Sequence, residues 1–125
     1  MSLETELKKT IVLGANPKTE SIAYQAIIRL QTKKHPVIPI GIYEGEVGGL
    51  SIQKGFIRVE DVHTITLYIR PEKQEVYYDY ILSLKPKRII FNPGTENKKL
   101  EELARQNGIE TKEACTLVML SIGTY

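Results

Sequence analysis

The sequence predicts an α/β fold: a doubly wound parallel sheet of about five strands with helices on both faces. Three observations carry that prediction. Short apolar, β-branched runs recur along the chain, as strands buried on both faces require. Segments with apolar residues at helical spacing alternate with them. Gly, Pro and Asn mark the junctions between the two kinds of segment.

Thr10 to Ala15 (TIVLGA) is the first run. Ser21 to Lys34 follows, with Ile22, Ala23, Ala26, Ile27 and Leu30 in one helical stripe. The Ser21 hydroxyl is placed to accept from a first-turn amide, and Lys33, Lys34 and His35 suit the negative carboxyl end of a helix. Pro36 stops it. Val37 to Ile40 (VIPI) is the second strand. Pro39 cannot donate to a ladder and belongs near its end. Gly41 to Thr64 contains Gly41, Gly45, Gly48, Gly49 and Gly55 and reads as loop, with one helical turn near Val59 to Val62. A loop this long either covers a ligand or hides an element.

Ile65 to Ile69 is the third strand, and Pro71 fits the first turn of a helix reaching about Leu84. That helix is expected to bury Val76, Tyr77, Tyr80, Ile81 and Leu84 and to leave Tyr78 at the surface. Lys85, Lys87 and Arg88 read as solvated charges leading into a fourth strand, Arg88 to Phe91. Asn92-Pro93-Gly94 is a turn. A helix from about Thr95 to Asn107 follows, burying Leu100, Leu103 and Ala104, with Gly108 in the C′ position. Ile109 to Lys112 is a short fifth strand, and Thr116 to Ile122 a last short helix. The alternation is that of a Rossmann-like domain, in which ligands sit outside the carboxyl ends of the strands where strand order reverses.

The 125 residues fit a single domain spanning 1–125, with 1–8 as an amino-terminal extension. Seventeen basic and fifteen acidic residues give a net charge of +2, too balanced to argue for a nucleic-acid or membrane partner. Met1 to Glu6 lacks the apolar centre of a signal peptide, and no run is long enough to cross a membrane. The single cysteine, Cys115, excludes an internal disulfide and suits the cytoplasm. A homo-oligomer is compatible with all of this. His35 and His63 have no partner at a catalytic spacing, and no metal-ligand pattern occurs.

The first turn, Gly14-Ala15-Asn16-Pro17-Lys18-Thr19-Glu20-Ser21, runs from a strand into a helix. Amides and the helix dipole favour an anion there; Ser21 adds a hydroxyl and Lys18 a charge. The turn lacks both G-x-G-x-x-G and G-x-x-x-x-G-K-[ST]. On the residues alone, Gly14 making a turn and Ser21 capping a helix remains an equal reading. Arg70 can present a forked donor to phosphate or stand as a solvated charge. Cys115 is either a reactive thiol or a small buried apolar group.

Five segments together resemble the small stand-alone CoA-binding proteins, relatives of the CoA-binding domain of succinyl-CoA synthetase. They are Gly14-Ala15-Asn16 with Ser21, Val37-Ile38-Pro39-Ile40, Ile69-Arg70-Pro71-Glu72, Asn92-Pro93-Gly94-Thr95-Glu96-Asn97, and Cys115 after the last strand. The resemblance covers about Lys9 to Thr116. It implies CoA or acyl-CoA held without catalysis, with the pyrophosphate near Gly14, Ala15, Asn16, Lys18 and Ser21. The adenine or pantetheine would lie against Pro39, Ile40, Ile69, Arg70 and Pro71, with the Pro93-Gly94 turn alongside. Binding of another nucleotide, NAD or AMP, and thiol or acyl exchange through Cys115 stand as alternatives. Three positions depart from the family. Asn16 replaces its usual small residue and Phe91 its common Trp. No basic residue occurs from Gly41 to Ser51, where Tyr43, Glu44 and Glu46 stand instead.

Overall fold

The computed structural model describes residues 6–125. Residues 1–5, most of the expected amino-terminal extension and of the segment read for a signal peptide, lie outside it. In chain order the elements are β1 (Thr10–Leu13), α1 (Ile22–Thr32), β2 (Val37–Ile40), β3 (Glu46–Val47), β4 (Leu50–Ser51) and β5 (Thr64–Leu67). They continue with α2 (Tyr78–Leu84), β6 (Arg88–Phe91), α3 (Lys98–Gln106), β7 (Glu110–Glu113) and α4 (Thr116–Ile122). Five strands form one parallel sheet in the order β2-β1-β5-β6-β7, and β3 and β4 form a separate hairpin. The predicted class and strand count are present, and helices alternate with strands except between β2 and β5.

The sheet has an apolar layer on each side. Ile11, Leu13, Ile65, Leu67, Ile89 and Phe91 face the layer that holds Ile81, Leu100 and Ala104 of α2 and α3. Val12 and Ile90 face the other, with Ala23, Ile27 and Leu30 of α1 and Met119 and Leu120 of α4. Alternation along each strand therefore feeds two cores, which is why the strands read as unbroken apolar runs.

Pro39 sits on the edge strand, and its carbonyl accepts from the Gln53 amide at 2.9 Å on the outer side. The missing N–H thus faces away from β1, where it costs no ladder bond. The long crossover resolves the choice posed by its length. It contains the β3–β4 hairpin, then runs as irregular chain over the sheet in the place of a helix, and no helical turn forms at Val59 to Val62. Ile57, Val59 and Val62 pack on the α2–α3 layer instead. Tyr80 pins this chain by donating its hydroxyl to the Ile57 carbonyl at 2.6 Å.

Three further expectations are corrected. The segment after Pro71 is not one helix: two 3₁₀ turns, Pro71–Lys73 and Glu75–Tyr77, precede α2. Their tighter winding turns Val76 outward, 70% exposed, and leaves Tyr77 and Tyr78 both half-buried. Arg88 is not solvated. It is 5% exposed, donates through Nε to Thr64 Oγ1 at 2.7 Å, and its guanidinium lies 4.4 Å from the centre of the Tyr125 ring. Helix α3 starts later than Thr95, because Asn97 is its N-cap and accepts the Leu100 amide at 3.1 Å.

Candidate functional site at the carboxyl edge of the sheet

All five parallel strands end on one edge. Strand order reverses between β1 and β5: the chain leaves β1 for β2 on one side, then crosses to β5 on the other. The Gly14–Ser21 turn and the Tyr68–Gln74 segment flank this reversal.

Gly14 sits where β1 and β5 leave the sheet. Its φ is +104°, and a Cβ there would lie 2.7 Å from the Tyr68 carbonyl oxygen. Only glycine meets both conditions. The Gly14 and Ala15 amides both donate to the Ile40 carbonyl, at 2.8 and 3.0 Å. These two amides are therefore already engaged within the protein. Gly41 closes this contact, since a Cβ on it would lie 2.5 Å from the Ala15 oxygen. Ala15 and Ile40 are each 1% exposed, so they shape the turn rather than present a surface.

The open donors lie further along. Asn16 Oδ1 accepts the Lys18 amide at 2.9 Å, which folds the chain toward the helix. Ser21 is the N-cap of α1, with extended backbone and Oγ accepting from the Tyr24 amide at 3.1 Å. Its hydroxyl donates to no acceptor among the described residues. The first-turn amides of Ile22 and Ala23 take no acceptor among the described residues. Lys18 is exposed beside them. An anion thus meets a hydroxyl, two amides, a positive helix end and an ammonium over a few residues.

Across the reversal, Ile69 and Pro71 are half-buried and Arg70 is exposed. Arg70 Nε lies 3.4 Å from Glu72 Oε2, with both side chains mostly in solvent. Such a pair contributes about 0–1 kcal/mol and can open to another anion. Pro93 and Gly94 are exposed at the tip of their turn, where the Gly94 amide donates to Glu96 Oε1 at 2.9 Å.

Sequence reasoning missed the polar residues that hold these loops. Gln74 is fully buried. Its Nε2 donates to the carbonyls of Ile69 and Thr95, each at 2.8 Å, and its Oε1 accepts from Asn97 Nδ2 at 2.9 Å. Asn97 also donates to the Tyr78 hydroxyl at 2.8 Å. Asn92 donates to Thr66 Oγ1 at 2.6 Å and to the Leu67 carbonyl at 2.8 Å, and accepts the Thr116 amide at 2.9 Å. Burial pushes the nearby Tyr68 phenol up to about 12, opposed in part by the Thr66 and Thr116 hydroxyls. Cys115, half-buried, is the N-cap residue of α4 on the same edge. The only sequence signal for the network was Gln, Asn and Thr next to predicted strand ends.

A concavity of about 470 Å³ lies along the outer side of β2, between Pro39, Gln53, Ile57 and Lys9. It runs toward the amino end of the sheet and lacks a helix N-terminus. The donors converge at the carboxyl edge, and that edge is the candidate site.

The reversal in strand order beside a capped helix N-terminus defines a Rossmann-like binding domain. Residues 8–121 match the model of the CoA binding domain family, and the chain belongs to that family. A crystal structure of an uncharacterized protein is 54% identical, with a TM-score of 0.95, covering 97% of this chain and 100% of that one. A hypothetical protein from Pyrococcus horikoshii OT3 shares the fold at 23% identity, with a TM-score of 0.83, covering 93% and 83% of the two chains. A Thermus thermophilus protein does so at 17% identity and a TM-score of 0.83, covering 95% and 91%. No curated protein matches the chain. None of the described helices is long and apolar enough to cross a membrane, and no group of metal-ligating side chains occurs among the described residues.

Proposed function

We propose that the protein binds CoA or an acyl-CoA at the carboxyl edge of its sheet and does not turn it over. The observation that carries this reading is the first turn of α1, where Ser21 and the Ile22 and Ala23 amides converge beside Lys18 at the strand reversal. Membership in the CoA binding domain family supports CoA as the ligand. The pyrophosphate would sit on Asn16–Ala23, one step beyond the engaged Gly14 and Ala15 amides. The rest of the ligand would extend toward Pro39, Ile69–Pro71 and the Pro93-Gly94 turn. The lone thiol suits a reducing compartment, and we place the protein in the cytoplasm.

Native mass spectrometry of the purified protein is expected to show a co-purified CoA species. A thermal-shift panel of CoA, acetyl-CoA, NAD, FMN and ATP provides the second test. Ligand at 100 times its Kd stabilises by about 2.7 kcal/mol, well within reach of the method. Stabilisation by NAD with none from CoA overturns the proposal. Cys115→Ser is expected to bind as the parent does. Loss of a measurable thiol or acyl exchange in that variant would instead make Cys115 a reacting group.

A further inference from the structure

Two rims of the carboxyl edge, Ile69–Pro71 after β5 and Pro93-Gly94 after β6, belong to different loops. Their strands pair directly, but only as far as Leu67 and Phe91. Beyond the strands, no backbone hydrogen bond joins residues 68–77 to residues 92–97. Side chains make the link, and Gln74 is its centre. It is fully buried, and Nε2 donates both to the Ile69 carbonyl in its own loop and to the Thr95 carbonyl in the other. Its Oε1 accepts from Asn97 Nδ2. With both Nε2 protons used, the amide has one orientation, because the flipped amide would set Oε1 against two carbonyls. The bond to Ile69 closes the turn that carries Arg70 at its tip. The bond to Thr95 sets how far that turn stands from the Pro93-Gly94 turn. Asn92 does not share this task, since its Nδ2 bonds end on Thr66 and Leu67 within β5 and its Oδ1 accepts from Thr116.

We infer that Gln74 is a positioning residue for the ligand: without touching it, Gln74 fixes the gap between two rims against which the ligand lies. This rests on the carboxyl edge being the CoA site. A gap held open in advance costs nothing to order on binding, whereas loops that must first be brought together take that ordering out of the affinity. Calorimetric titration of the full chain with CoA, at a temperature where circular dichroism shows each variant folded, tests it. Gln74→Met keeps the length of the side chain and removes all three bonds. It is expected to raise the Kd for CoA about threefold to tenfold. Ile109→Val, at a buried position beside the amino end of β7, is expected to lower the urea midpoint and leave the Kd unchanged. Where Gln74→Met does not fold, Tyr78→Phe carries the test. It removes the hydroxyl that accepts from Asn97 and is expected to raise the Kd about threefold. Parent affinity in folded Gln74→Met, or in Tyr78→Phe standing in for it, overturns the inference and leaves the functional reading intact. An equal loss of affinity in Ile109→Val also overturns it, because affinity would then follow stability alone. Failure of the parent to bind CoA overturns the functional reading itself.

Discussion

Gly14 and Gly94 both hold positive φ, at +104° and +91°, yet their surroundings differ. A Cβ on Gly14 meets the Tyr68 carbonyl, whereas a Cβ on Gly94 meets nothing within 4 Å. Gly94→Ala is therefore expected to cost only the strained backbone, about 1–3 kcal/mol. Gly14→Ala adds a backbone clash at the strand reversal and is expected to cost more, with a lower urea midpoint than Gly94→Ala. Equal midpoints would show that the β1–β5 junction gives way freely. Asn92 is the other decisive residue, 2% exposed and bonded to β5 and to α4. Asn92→Ala strands a buried carbonyl and a buried amide, at about 1–3 kcal/mol each. Chemical denaturation is expected to show a loss of about 2–6 kcal/mol.

Elements differed in how plainly the sequence announced them. Strands β1, β2 and β6 and helices α1 and α4 were legible because a buried parallel strand is apolar throughout and because Ser21 and Pro36 mark where α1 starts and stops. The crossover was not, because Ile57, Val59 and Val62 owe their burial to the sheet face beneath them rather than to a local period. Val76 was misplaced because two 3₁₀ turns break the 3.6-residue spacing. At the site, Gly14 and Ser21 could be found from turn and cap chemistry. The engagement of the Gly14 and Ala15 amides by Ile40, and the roles of Gln74 and Asn92, depend on partners more than twenty residues away. The helix-free crossover also makes a prediction. Tyr80→Phe removes the bond to Ile57 and is expected to cost about 1 kcal/mol. Its clearer signature is faster tryptic cleavage at the exposed Lys54 and Arg58, with the rest of the chain unchanged. Unaltered cleavage would mean that the Phe56 ring, 5.4 Å from that of Tyr80, holds the segment alone.

At the scale of the molecule the two edges of the sheet have separate characters. The carboxyl edge carries the loops and their candidate ligand; the amino edge ties chain segments together. His35, 4% exposed, accepts the Lys8 amide through Nδ1 at 2.9 Å and packs 5.0 Å from the Tyr125 ring. Burial first, then the charges of Lys8, Arg88, His63 and Lys33, hold its pKa below the ordinary 6.5. His63 is lowered too, by burial and then by Arg88, with Glu6 opposing. An unfolded chain takes up these protons near pH 6.5, whereas the native chain resists until lower pH. Between those values the unfolded state binds more protons, so stability is fully present above about pH 6.5 and is lost as pH falls toward the native values. Glu101 works with the opposite sign. The neighbouring Glu113 carboxyl, with burial, raises its pKa against the pull of Arg105, so its contribution falls as pH rises through the raised value. His35→Asn separates the two, because the amide side chain keeps an acceptor near the Lys8 N–H but does not titrate. Urea midpoints at about pH 7.5 and 5.5 are expected to drop in the parent and to drop less in His35→Asn, the remainder belonging to His63. An unchanged drop in the variant would move the acid sensitivity off His35 and onto His63, because Glu101 acts with the opposite sign.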